Sequence, residues 1–240
     1  RAGSVVREGR IVKYAARGRT QPAATVGVVE YGSAAVLVTL APGGTLLDRR
    51  SIELIEPGLP THPHHHEGSW AVGRYLNTPG ARRLSLADAV ALVERVRASA
   101  ARNARASVED LAAAVPVPIA CIAIRACPEL PPTIEERIAD NRAQTCADSV
   151  MYREALATAA AARGWSVIWY DREGAFRDAA AALGGKDVDA FLRAMGRSIG
   201  PPWQAKHKLA AAAALAAAGR RPIRDGSSSL AEESSCGSKI

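Results

Sequence analysis

Residues 117–124 have the sequence Val-Pro-Ile-Ala-Cys-Ile-Ala-Ile, an apolar run that contains no charged residue. A strand that is covered on both faces has this continuous hydrophobicity, whereas a strand with one face in water alternates apolar and polar side chains. The run therefore predicts a buried central strand in a sheet that carries helices on both faces.

The segments before this run predict antiparallel strands followed by one helix. Residues 25–30 and 34–40 are apolar and rich in valine, and a Pro-Gly-Gly turn separates them from residues 45–55. Short apolar runs joined by such turns are typical of neighbouring antiparallel strands. Ser85 then resembles a helix N-cap, and the apolar spacing predicts a helix that ends near Ala114.

The segments after the run predict alternating helices and strands. Thr133 and Glu136 have the spacing of a capping box, which predicts a helix that continues to Arg163. A strand is expected at 165–170, followed by helices at 173–183, 187–195 and 203–218. Three strands followed by alternating helices and strands predict an α/β domain over 25–219, with a mixed five-stranded sheet and helices on its faces.

Composition is that of an ordinary globular protein. The chain has 240 residues, of which 48% are hydrophobic and 23% are charged. No apolar stretch approaches the roughly 20 residues of a membrane span, and no signal peptide is recognisable. The four cysteines have neither metal-binding spacing nor the density of a disulfide framework, so a cytoplasmic protein with reduced thiols is expected.

Positive charge is concentrated at the amino terminus. Residues 1–24 contain six basic residues and one acidic residue, a net charge of +5 within the total of +7. Such a basic arm either contacts nucleic-acid phosphates or simply remains solvated. The candidate phosphate contacts in the arm are Arg7, Arg10, Lys13, Arg17 and Arg19. The serine-rich segment 220–240 is expected to be a disordered tail.

Two local motifs accompany the predicted order of elements. Residues 26–33, Val-Gly-Val-Val-Glu-Tyr-Gly-Ser, place Glu30 at the end of the first strand, and His207 opens a final helix rich in alanine. The chain thereby resembles the ribonuclease H-like superfamily and, within it, the RuvC-type Holliday-junction resolvases. The resemblance implies a nuclease-like protein that acts on structured DNA or RNA, with Glu30 and His207 as catalytic residues and metal ligands.

This sequence departs from the resolvase pattern at two positions. Arg125 stands where the resemblance implies a glutamate after the fourth strand, and Ala210 replaces the aspartate of the last helix. Two-metal catalysis requires several carboxylates, because Mg²⁺ and Mn²⁺ prefer oxygen ligands. Arg125 lies at the carboxyl end of a predicted strand, where α/β sheets bind ligands, so it is a candidate phosphate contact or the partner of a local acid.

Residues 62–67, His-Pro-His-His-His-Glu, lie within a long loop predicted at 56–83. If this loop covers the end of the first strand, His64, His66 and Glu67 complete a metal site with Glu30 and His207. Mg²⁺ or Mn²⁺ is the expected ion, and Zn²⁺ or Ni²⁺ also suits imidazole ligands. The alternative is an exposed polar loop whose histidines have no specific ligand.

Two functions therefore remain open at this stage. The first is a nucleic-acid-processing protein, which is either a metal-dependent endonuclease with a rebuilt His/Glu site or a relative that binds without cutting. The second is a non-catalytic interaction protein in which the loop at 56–83 docks another protein. The fold alone decides neither, because one fold supports many functions.

Overall fold

The computed structural model describes residues 23–65 and 84–220. The strands are β1 (Ala24–Tyr31), β2 (Ala34–Leu40), β3 (Leu46–Glu53), β4 (Ile119–Arg125) and β5 (Ser166–Tyr170). The α-helices are α1 (Leu86–Ala114), α2 (Ile134–Ala139), α3 (Asn141–Ala162), α4 (Ala175–Ala182), α5 (Val188–Ile199) and α6 (Ala205–Gly219). A short 3-10 helix, Pro63–His65, lies between β3 and α1.

The five strands form one mixed sheet in the order β3-β2-β1-β4-β5. Strands β1, β2 and β3 are antiparallel neighbours, whereas β4 is parallel to β1 and β5 is parallel to β4. The predicted α/β class is confirmed, since the sheet has five strands of mixed direction and helices pack on its faces. The apolar run at 117–124 supplies most of β4, an interior strand that lies between β1 and β5.

Each face of the sheet is covered by its own helices. Val26 and Val28 of β1 pack in the same core as residues of α1 and α3, such as Val96 and Leu156. Strand residues that face the other way pack against α5 and α6. This arrangement follows from the two-residue period of a strand, which directs successive side chains to opposite faces.

Helix α6 approaches the sheet unusually closely. Its alanines from Ala210 to Ala214 are completely buried, and they lie above Gly27 in the middle of β1. Small side chains on the helix and a missing side chain on the strand let the two backbones come together. This close contact determines where the first turn of α6 lies relative to the end of β1.

The helix predicted from Thr133 to Arg163 is divided in two, which corrects the prediction. The Thr133–Glu136 capping box is present and begins α2, but α2 ends at Ala139. Asp140 then has an extended conformation, and its carboxylate accepts hydrogen bonds from the N–H groups of Arg142 and Ala143. The break occurs because Asp140 caps a new helix, and aspartate is a strong N-cap residue.

The predicted domain boundaries stay predictions. Strand β1 already begins at Ala24, and α6 ends at Gly219. Residues 1–22 of the predicted arm and residues 221–240 of the predicted tail lie outside the described part of the chain. Within residues 23–65 and 84–220, no helix has the length and apolarity that crossing a bilayer requires. The predicted cytoplasmic location stays a prediction.

Candidate functional site

A cleft of about 610 Å³ opens at the carboxyl ends of β1, β4 and β5. These three strands are parallel to one another, so their ends meet at the same edge of the sheet. Ligands of α/β proteins commonly bind at this edge. The cleft is bordered by the last residues of the three strands, by the starts of α4 and α6, and by α5.

Tyr170 forms a buried part of the cleft wall. Its hydroxyl donates a hydrogen bond to the Val28 carbonyl at 2.9 Å, although the two residues belong to different strands. Burial raises the pKa of Tyr170 to about 12, so the phenol is neutral at physiological pH. The side chain therefore holds the ends of β5 and β1 together and adds no charge to the cleft.

Basic side chains dominate the charge of the cleft. Its cationic residues are Arg125, Arg172, Lys206 and Lys208, and its acidic residues are Glu30 and Asp189. None of the four cations forms a salt bridge with another described residue. Converging cations without acidic partners create a positive potential that attracts polyanions.

Glu30 is neutralised by a partner on α3. The Nε–H of Arg153 donates to Glu30 Oε2 at 2.6 Å, and both side chains are more than nine-tenths buried. Arg153 also donates from Nη1 to the Ala126 carbonyl at 3.2 Å. A buried carboxylate needs such a partner, because an unpaired buried charge is strongly destabilising. Glu30 therefore adds little negative charge to the cleft.

Strand alternation separates Glu30 from His207. Glu30 follows Val26 and Val28 on the face of β1 that packs against α1 and α3, and there it contacts Arg153. Helix α6, which carries His207, covers the opposite face of β1 above Gly27. The two residues named as catalytic in the sequence analysis thus belong to different sides of the sheet.

His207 has a structural contact at the start of α6. Its Nδ1 accepts a hydrogen bond from the Gln204 N–H at 3.0 Å, and its ring stacks on Trp203 with the centroids 5.8 Å apart. Because Nδ1 accepts, the proton of the neutral ring is on Nε2. Burial, together with the positive charges of Arg49 and Lys206, lowers the pKa of His207. His207 therefore caps α6 as a neutral imidazole.

The free energy of unfolding should decrease as the pH falls below about 6.5, the usual histidine pKa. Below this pH, His207 binds a proton in the unfolded chain but resists protonation in the folded protein. The folded state therefore loses stability as the pH falls from the usual histidine pKa to the lower pKa of folded His207. His207→Gln preserves an acceptor for the capping box and does not titrate.

Urea unfolding at about pH 7.5 and about pH 5.5 measures this effect. For each pH unit below the usual histidine pKa, the free energy of unfolding of the wild type should fall by up to about 1.4 kcal/mol more than that of His207→Gln. An equal pH dependence of the two proteins would show that His207 titrates normally in the folded state.

His64 lies in a second polar cluster, where the 3-10 helix packs against α3. Its Nδ1 is 2.7 Å from Asp148 Oδ1, and its backbone N–H donates to the same oxygen at 3.0 Å. His64 is only 1% exposed, so it does not belong to an exposed polar loop as the alternative expectation had it. The Tyr152 hydroxyl, which donates to the Thr61 carbonyl, also ties this segment to α3.

The described residues do not fit the metal site implied by the resemblance. Glu30 binds Arg153, His64 binds Asp148, and His207 binds the Gln204 N–H, so the three have separate partners. In the part of the chain that the structure describes, no group of three or more His, Cys, Asp or Glu residues could hold a metal ion. His66 and Glu67 lie outside the described residues, and their metal contacts stay predictions.

Of the other contacts predicted from the sequence, some lie inside the described part of the chain and others lie outside it. Arg125 is the last residue of β4, is exposed and lines the cleft, where its phosphate contact stays a prediction. The arm residues Arg7, Arg10, Lys13, Arg17 and Arg19 lie outside the described residues. The predicted protein partner of the loop at 56–83 also stays a prediction, since only 56–65 of that loop is described.

Sequence reasoning did not identify several cleft residues. These are Tyr31, Arg172, Phe176, Lys206 and Lys208. Tyr31 and Arg172 could have been identified from the sequence, because each lies within two residues of the carboxyl end of a strand, as Arg125 does. Phe176 and the two lysines lie in the first turns of α4 and α6, and only the packing of those helices brings them to the same edge.

Comparison with known proteins gives matches among solved structures only. No family model and no curated protein matches the sequence. Among solved structures, the chain is similar to T. thermophilus RuvC in complex with a Holliday junction substrate, at 13% identity and a TM-score of 0.47. A structure of Thermus thermophilus RuvC also matches at 13% identity, with a TM-score of 0.40. Each match covers 82% of this chain and 93% of the other chain.

Proposed function

We propose that the cleft binds the phosphate backbone of nucleic acid and that it does so without metal-dependent cleavage. The observation that carries this proposal is the convergence of Arg125, Arg172, Lys206 and Lys208 on a cleft with only two carboxylates among its described lining residues, Glu30 and Asp189. Of these, Glu30 is paired with buried Arg153. Phosphate contacts by lysine and arginine supply most of the sequence-independent affinity for nucleic acid.

The pairing of Glu30 supports both parts of the proposal. A free carboxylate would repel a phosphate, whereas a carboxylate neutralised at 2.6 Å by Arg153 repels it weakly. The same pairing opposes metal-dependent catalysis, because the guanidinium already occupies an oxygen that a divalent ion would need. The basic arm predicted at residues 1–24 adds positive charge that suits the same kind of partner.

The salt dependence of DNA binding tests the proposal. Arg125→Gln combined with Arg172→Gln removes two charges from the cleft and retains side chains of similar polarity. If both residues contact phosphates, the plot of log affinity against log salt for duplex DNA should flatten by about 2 units, since each contact contributes about 0.9. Fluorescence anisotropy with a labelled duplex at several salt concentrations measures the slope.

A matched variant controls for total charge. Arg95→Gln combined with Arg105→Gln also removes two charges, but from exposed positions of α1 on the other side of the sheet. This control should leave the slope close to that of the wild type. Equal flattening by the two double variants would mean that the cleft is not the contact surface.

Incubation with Mn²⁺ tests whether binding leads to cleavage. Branched DNA, flapped DNA and an RNA–DNA hybrid should all remain intact with the wild-type protein. Cleavage that disappears in Glu30→Gln would overturn the non-catalytic proposal and support the endonuclease alternative. Cleavage that is equal in both proteins would instead come from a contaminating nuclease.

A further inference from the structure

Two aromatic rings stand exposed among the cations of the cleft. Tyr31, at the end of β1, is 39% exposed, and Phe176, in the first turn of α4, is 38% exposed. The partly buried ring of Trp203 lines the same cleft. A basic groove that also presents aromatic surfaces is the arrangement by which proteins hold unpaired bases, since every base has a face that can stack.

Lys206 connects the aromatic and basic parts of the cleft. Its Nζ lies 3.6 Å from the centroid of the Tyr31 ring, so the ammonium covers one face of the ring while the ring remains partly exposed. A cation in this position is attracted by the ring and is still available to an anion. A base stacked on Tyr31 would therefore have a positive charge close to its own phosphate.

We infer that the cleft holds an unpaired nucleotide, with the base stacked on Tyr31 or Phe176 and the phosphate near Lys206 and Arg125. This inference rests on the proposed function and names its substrate class, nucleic acid that contains a single-stranded or unpaired position. Bases inside a duplex are covered by their neighbours, so aromatic side chains reach only unpaired ones. The volume of about 610 Å³ lies within the range of about 300–1,000 Å³ that small ligands occupy.

Affinity measurements on single-stranded and duplex DNA of one sequence test the inference. At least one of Tyr31→Ala and Phe176→Ala should weaken single-strand binding about five- to 150-fold, the range that corresponds to the loss of one stacked base. Duplex binding should change less than about twofold, because it depends on phosphate contacts. Tyr31→Phe keeps the ring and should bind like the wild type.

Trp169→Ala is the matched control for losing an exposed aromatic ring. Trp169 on β5 is 43% exposed, but it does not line the cleft. Its removal should leave single-strand affinity unchanged. An equal loss of affinity in Trp169→Ala and Tyr31→Ala would overturn the inference, because stacking would then not be specific to the cleft.

Two further ligands identify what is stacked. An oligonucleotide with an abasic position at its only unpaired site should bind wild type and Tyr31→Ala equally, because the partner of the ring is then missing. A free nucleoside monophosphate should compete only at much higher concentration than the oligonucleotide. If the monophosphate binds as tightly as the oligonucleotide, the assignment to a polymer is overturned.

Failure of the inference and failure of the proposed function give different results. If the aromatic variants bind both DNAs like the wild type while the double variant at Arg125 and Arg172 still flattens the salt dependence, only the stacking inference is overturned. If the wild type binds neither DNA at low salt, the proposed function fails, and the stacking inference fails with it.

Discussion

Gly27→Ala should prevent the chain from reaching a stable native fold. A Cβ at position 27 would overlap the Ala210 carbonyl oxygen and would lie 2.8 Å from the Ala214 nitrogen, and both atoms belong to the backbone of α6. A clash with backbone cannot be relieved by a change of rotamer, so α6 would have to move away from the sheet. Overpacking of cores usually costs about 1–3 kcal/mol, and we expect this substitution to cost more.

Urea denaturation followed by circular dichroism measures this loss, and a second glycine provides the control. Gly174, the N-cap of α4, has an ordinary negative φ of −81°, and the atom closest to an added Cβ is the guanidinium end of Arg177. That side chain is flexible and can move, so Gly174→Ala should change the unfolding midpoint little. A midpoint of Gly27→Ala equal to that of the wild type would contradict the close packing of β1 and α6.

Arg153→Met should destabilise the protein by about 3–5 kcal/mol. The substitution keeps an unbranched, flexible side chain but removes the guanidinium, which leaves the buried Glu30 carboxylate without its partner. It also removes the hydrogen bond to the Ala126 carbonyl, just beyond β4. Desolvation of an unpaired charge is the main cost, because the Glu30 side chain is only 6% exposed.

A double-mutant cycle separates the pair from other effects of losing Arg153. Glu30→Gln combined with Arg153→Met removes both charges, so the double variant should be more stable than Arg153→Met alone. Chemical denaturation of the four proteins gives the coupling free energy. Additive losses from the two substitutions would show that Glu30 and Arg153 do not depend on each other.

The same variants test whether Glu30 holds a metal ion. If Arg153 is its partner, Mn²⁺ should leave the thermal midpoint of the wild type unchanged. A ligand that binds only the folded state raises the midpoint in proportion to the logarithm of its concentration. A rise that is present in the wild type and absent in Glu30→Gln would mean that the ion displaces Arg153.

Much of the fold could be predicted from local patterns. The apolar run at 117–124, the valine-rich runs at 25–30 and 34–40 and the Thr133–Glu136 capping box all correspond to observed elements. These signals are local, because strand alternation and helix capping depend on residues a few positions apart. The division of the second long helix was missed, although Asp140 followed by a helical pattern is an N-cap signal of the same local kind.

Much less of the candidate site could be predicted. Glu30 was identified from the resemblance to the resolvase carboxylate and Arg125 from its position after a predicted strand, and both line the cleft. The pairing of Glu30 with Arg153 was not, since the two residues are 123 positions apart and Arg153 looks like one of many charges on a long helix. His64 was expected to face either a metal or solvent, and instead it is buried against Asp148.

The sequence by itself determined the order of strands and helices, the mixed sheet and the edge at which polar residues follow the parallel strands. Tertiary structure alone decided which charges meet. The face of β1 on which Glu30 lies, and the helix that covers that face, depend on how α3 and α6 pack on the sheet. Such contacts join residues far apart in the chain, so no short-range pattern encodes them. Packing therefore places Arg153 of α3 against Glu30.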